Sequence, residues 1–162
     1  LFATVLTGPP EKRRDDAEAV RKLISRMGRH AVCGGTTAKI VARQLGKELE
    51  VDLSTMTGSV PPLGMIEGID IVTEGILTLT RVNNLLKSGA TKEMVKFQNN
   101  GAANLIRLLL DTDSIQFLVG QAVNPAHQNP ELPHQLGIRQ AIVREVAEEL
   151  KKRGKEVSLE VV

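Results

Sequence analysis

The sequence predicts a three-layer, Rossmann-like α/β domain with a mostly parallel sheet. Short β-prone apolar runs alternate along the chain with segments whose apolar residues recur at helical spacing. Strands separated in this way by helices build α/β domains around parallel sheets. Four of the runs end in glycine-bearing turns, the form a strand-to-helix turn takes where the backbone needs positive φ. A length of 162 residues suits one domain.

The elements follow in order. Leu1 to Leu6 is a short apolar run ending in "TGPP". Asp15 to Met27 carries Ala17, Val20, Leu23, Ile24 and Met27 at helical spacing; its two leading aspartates favour the positive helix end, and Gly28 suits the other. Ala31 to Cys33 reads as a strand and Thr36 to Leu45 as a helix closed by Gly46. "ELEVDL" alternates Leu49, Val51 and Leu53 as a strand does, and "TGSVPPLG" reads as a loop. "GIDIVTEG" is a strand followed by a helix, "ILTLTRVNNLLKSG". Residues 90 to 101 are polar and match neither period. "AANLIRLLLDTD" is a helix, "SIQFLVG" a strand and "QAVNPAHQNPELPHQLG" a long loop with three prolines. The longest amphipathic helix is "IRQAIVREVAEELKKRG", with Ile138, Ile142, Val146 and Leu150 as its apolar row. "KEVSLEVV" closes the chain as an alternating strand. No internal repeat or low-complexity segment stands out.

Composition narrows the function classes. Aromatic residues make up 2% of the chain, with no Trp or Tyr, so the core is aliphatic. Single-stranded nucleic-acid binding usually needs aromatic stacking platforms, and these are scarce. Net charge is +2, from 21 basic and 19 acidic residues. That balance gives no strong electrostatic footprint for nucleic acid or an anionic membrane. One cysteine permits no internal disulfide and no cysteine-based zinc site, which fits a reducing, cytoplasmic setting. Apolar runs are too short to span a bilayer and no signal peptide is visible. The opening "LFATVLTG", already strand-like and without Met, reads as the start of a fragment of something longer.

The chemistry gathers at strand ends. Leu6-Thr7-Gly8-Pro9, Cys33-Gly34-Gly35-Thr36-Thr37, Val72-Thr73-Glu74-Gly75 and Val119-Gly120-Gln121 all belong on one edge of a parallel sheet. Open α/β sheets bind ligands outside that edge, where strand order reverses. A Rossmann-like order is expected because a switch point would bring the "GPP" and "GGTT" turns near "TEG". "GGTT" is the best single candidate. Gly34 and Gly35 permit a tight turn, Thr36 or Thr37 caps the following helix, and the free N–H groups then face an anion. The ordinary alternative is a capped helix with no ligand. Glu74 either accepts hydrogen bonds from a ribose or sugar hydroxyl, helps hold a metal, acts as a base, or satisfies the helix start. Asn124, His127, Gln128 and Asn129 lie in the proline-rich loop, and His127 is the histidine nominated for a role near neutral pH. Asn-Pro turns also use asparagine for local backbone bonds. Cys33 is either activated by the nearby helix start or simply a small buried residue. No nucleophile-elbow sequence and no spaced carboxylate cluster for a metal pair is present.

As a set, "VLTGPP", "VCGGTTAKIVARQLGKELEVDL", "PPLGMIEGIDIVTEGILTL" and "NPAHQNPELP" resemble the C-terminal segment of bacterial phosphatases in the stage II sporulation protein E family. The resemblance covers nearly the whole chain, in order. In one branch of that family a metal-dependent serine/threonine phosphatase domain is followed by an extra domain with such motifs. The family's catalytic domain uses aspartates in Asp-Gly motifs to hold two divalent metals. This chain has no Asp-Gly pair, and "VTEG" offers Glu where that motif has Asp. The resemblance therefore implies the appended domain, next to a phosphatase domain, and no phosphatase residue carries over.

The leading expectation is a regulatory domain that binds an anionic small molecule, a nucleotide or phosphorylated metabolite. Gly34, Gly35, Thr36 and Thr37 form the seat, with Thr7, Gly8, Glu74, Gly75, Asn124 and His127 completing it. No cofactor or metal is expected. One alternative is an enzyme acting on a phosphorylated small molecule, with Glu74 or His127 as acid–base group. Another is a homodimerisation or interaction module using residues 138–153 or an uncovered sheet edge.

Overall fold

A computed structural model describes residues 1–58, 60–122 and 136–162. In chain order the elements are β1 (Phe2–Thr7), α1 (Asp16–Ser25), β2 (Arg29–Cys33), α2 (Gly35–Leu45), β3 (Glu50–Asp52) and β4 (Leu63–Met65). Next come β5 (Ile71–Thr73), α3 (Ile76–Lys87), α4 (Gly101–Asp111), β6 (Ser114–Val119), α5 (Leu136–Lys152) and β7 (Glu156–Val161). The strands form one sheet in the order β3-β4-β5-β2-β1-β6-β7. The five from β5 to β7 are parallel, and β3 and β4 add an antiparallel edge. The chain builds outward from β1 through β2 to β5, then returns to place β6 and β7 on the other side. Strand order therefore reverses between β1 and β6.

Alternation along the strands divides the core. Ala3, Val5, Ala31, Cys33, Ile115, Phe117 and Val119 pack on one face, under α3, α4 and α5. Leu6, Val32, Val72 and Leu118 pack on the other, under α1 and α2. Helices on both faces give the three layers of a Rossmann-like fold. Burying both faces makes the parallel strands almost continuously apolar, which is why they read as short runs. Leu79, Leu105, Ile106 and Leu109 are fully enclosed, each stabilising the fold by about 1.5–3 kcal/mol. Among the described residues no helix is long and apolar enough to cross a membrane.

Several local expectations change. "ELEVDL" pairs only over Glu50–Asp52, and Leu53 lies 66% exposed. The Asp52 carboxylate accepts the Ser54 N–H and hydroxyl, and this local bonding turns the chain out of the ladder. "TGSVPPLG" is not loop throughout, because Leu63 opens β4 and Thr57 bridges to Val60. Three residues are too few to show a period, so β4 left no signal. Ile138 does not join the apolar row of α5; it is 42% exposed, and Val143, Val146, Ala147 and Leu150 make the buried stripe. Steps of four residues drift by about 40° each, so the row winds off the face. Met27 likewise lies beyond the end of α1 and is 92% exposed.

Candidate functional site

The register puts four strand ends in one row. Cys33 pairs with Thr73 and with Thr7, and Thr7 pairs with Val119. The next residues are Glu74-Gly75, Gly34-Gly35, Gly8-Pro9 and Gly120, side by side along the C-terminal edge. The reversal falls between "GPP" and "VGQ", rather than beside "TEG". "GGTT" lies next to "GPP", and "TEG" lies one strand further out.

Close packing accounts for several of these glycines. A Cβ on Gly120 would stand 2.1 Å from the Gly8 carbonyl oxygen, inside its van der Waals envelope. Gly34 has φ +131°, its N–H donates to the Thr73 carbonyl at 2.8 Å, and a Cβ there would stand 2.8 Å from Thr37 Oγ1. Gly75 comes close enough that a Cβ would touch Gly34 Cα at 3.4 Å.

The start of α2 differs from its expected form. Gly34 is the N-cap, Gly35 already lies in the helix, and no side chain caps it. Thr36 and Thr37 are therefore helical residues and not caps: a residue cannot cap a helix it already belongs to. Thr37 is 1% exposed beneath the turn, whereas Gly35 and Thr36 are exposed at the edge. The Gly35 and Thr36 N–H groups and the positive end of α2 thus face outward at the row of strand ends.

Glu74 serves as a helix start. Its Oε2 accepts the Thr78 N–H at 3.1 Å, anchoring α3. The carboxylate also lines a cavity of about 230 Å³ at the C-terminal end of β5. Val60 to Leu63 forms one wall, Leu77, Thr78 and Arg81 of α3 a second, and Asn100 to Ala102 at the start of α4 a third. Asn100 caps α4 by accepting the Ala103 N–H at 2.9 Å.

At the reversal point a cation is already in place. Arg139 of α5 donates through one guanidinium nitrogen to the Gly120 and Ala122 carbonyls, both at 3.0 Å. It lies so close over Gly8 that a Cβ there would be 2.5 Å from Arg139 Cζ. Burial pushes the Arg139 pKa down from its ordinary value. Thr7, at 1% exposure, ends β1 beneath this turn.

Cys33 is fully buried on the α3 side of the sheet, and burial pushes its thiol up to about 12. Burial thus favours the neutral thiol over an activated thiolate. His30 sits at the opposite end of β2, its Nε2 2.9 Å from the Arg26 carbonyl. Asn124, His127, Gln128, Asn129 and His134 lie outside the described residues. Among the described residues no group of three or more His, Cys, Asp or Glu stands together as a metal site.

Thus Thr7, Gly8, Gly34, Gly35, Thr36, Thr37, Glu74 and Gly75 share one edge. Thr78, Arg81, Asn100 and Arg139 were missed. Thr78 and Arg81 stand four and seven residues after Glu74, so helical spacing could have placed both on its side of α3. Asn before Gly-Ala-Ala is a legible N-cap signal. No family model, curated protein or solved structure matches the chain.

Proposed function

We propose that the domain binds an anionic small molecule, a nucleotide or phosphorylated metabolite, at the edge made by β5, β2, β1 and β6. Binding there regulates an adjacent phosphatase domain in a cytoplasmic protein. The observation that carries the binding reading is the row Thr73–Cys33–Thr7–Val119. Its glycine turns open on the side where α/β sheets take ligands, next to the strand-order reversal. Gly35 and Thr36 offer outward N–H groups at a helix start with no side-chain cap, an arrangement that favours phosphate or carboxylate. The phosphatase context rests on the sequence resemblance. Regulation then requires only that the ligand favour one of two arrangements of the longer chain.

Thermal unfolding against a nucleotide and phosphorylated-metabolite panel tests this reading. A ligand at a hundred times its Kd adds about 2.7 kcal/mol to stability, which in a domain of this size raises Tm by roughly 5–10 °C. No shift with any anion near saturation would remove the binding function. The regulatory half predicts that the same ligand changes the phosphatase rate of the full chain.

A further inference from the structure

We infer that the cavity beside Glu74 holds the hydroxyl-bearing part of a phosphorylated sugar, which deepens the proposal above and rests on it. The polar groups form a mixed set suited to a polyol. Oε2 of Glu74 is engaged by the Thr78 N–H, and its other carboxylate oxygen has no partner among the described residues. Asn100 uses its side-chain oxygen to cap α4, leaving its amide N–H group to donate. Thr78 is 6% exposed, lines the cavity, and its hydroxyl makes no hydrogen bond to the described residues. Open to the cavity and unpaired among the described residues, this hydroxyl can both donate to and accept from a ligand hydroxyl.

Gly101 is close enough that a Cβ there would be 3.4 Å from Thr78 Oγ1 and 3.1 Å from Thr73 Cγ2. Arg81, one helical turn from Thr78, adds a guanidinium to the same lining, a fork of donors for sugar hydroxyls. Val60, Pro61, Pro62 and Leu77 give an apolar wall for the C–H face of a sugar ring. Size selects the ligand class. Sites for drug-sized molecules run to about 300–1,000 Å³, so a cavity near 230 Å³ fits a single sugar and excludes an enclosed dinucleotide.

Calorimetric titration of the protein with ribose 5-phosphate, ribose and inorganic phosphate tests this. Ribose 5-phosphate should bind more tightly than either fragment. Thr78→Val keeps the side-chain shape and should weaken it about 5-fold. Arg81→Gln, at an exposed position where folding is not at stake, should weaken it about 10-fold or more. Equal affinity for ribose 5-phosphate in wild type, Thr78→Val and Arg81→Gln would overturn the inference while leaving an anion seat at Gly35 and Thr36 intact. Absence of ribose 5-phosphate binding at millimolar concentration would also overturn it, whatever other anions stabilise the fold.

Discussion

The Glu74 carboxylate accepts the Thr78 N–H at 3.1 Å, so the residue that starts α3 also lines the cavity. These two duties separate by mutation. Glu74→Gln keeps an acceptor for Thr78 but removes the charge that favours the helix start, at a cost of roughly 0.3–1 kcal/mol. Glu74→Ala removes the acceptor as well and should cost about 1 kcal/mol. Urea unfolding reads both. Ribose 5-phosphate affinity should fall in both variants, by about 10-fold. Unchanged affinity in Glu74→Gln would leave Glu74 as a helix cap alone.

Gly8 and Arg139 should behave as a coupled pair. Gly8 has φ +86° and lies beneath the guanidinium. Gly8→Ala adds an unfavourable backbone conformation and pushes Arg139 off the Gly120 and Ala122 carbonyls. A loss of about 2–4 kcal/mol is expected by urea unfolding. Arg139→Ala should relieve the steric part only. The double variant should then be more stable than the sum of the single losses predicts, by about 1 kcal/mol. Strict additivity would mean that the backbone conformation alone sets the cost.

Asp16 is 3% exposed, and its Oδ2 accepts from an Arg43 guanidinium nitrogen at 3.0 Å, tying α1 to α2. Arg43 is half exposed, which weakens the pair, so removing it costs less than an enclosed ion pair would. Asp16→Ala should destabilise the domain by about 1–3 kcal/mol, and Arg43→Ala by a similar or smaller amount. Chemical denaturation of both variants decides the matter; no loss in Asp16→Ala would show that the pair contributes nothing.

Alkaline pH should reveal Cys33. Folding raises its pKa from 9.0 to about 12, because burial disfavours the thiolate. The neutral thiol is thus the folded form, and this contribution is fully present below pH 9. Above pH 9 the unfolded chain ionises first, and stability falls by about 1.4 kcal/mol per pH unit until the folded pKa is reached. Cys33→Ala should flatten the loss between pH 9 and 11, measured by denaturant midpoints. The native thiol should also resist alkylation at pH 8, until the domain unfolds. Rapid modification in the folded state would contradict its burial.

Layering and parallel pairing were legible because they rest on many residues at once. Runs such as Ala31 to Cys33 and the helix from Thr36 to Leu45 are bounded by glycines whose positive φ the turns require. The convergence of Thr7, Gly34 and Glu74 followed from parallel pairing alone. β4 escaped notice because it is three residues long and held by pairing with β3 and β5. The cavity escaped for a related reason. Its walls come from three separated stretches, Val60 to Leu63, Leu77 to Arg81 and Asn100 to Ala102, which only tertiary packing unites. Arg139 gave no local signal because its place depends on how α5 docks against the β1–β6 turns.

The central claim is that the row of strand ends holds an anion at the start of α2. Titration of the isotopically labelled protein with phosphorylated ligands, following backbone amide resonances, tests it most directly. The account predicts saturable shifts at Gly35 and Thr36, with smaller ones at Gly8, Glu74 and Gly75. Resonances that stay fixed along this edge, with shifts absent or confined to other surfaces such as β7, would contradict it.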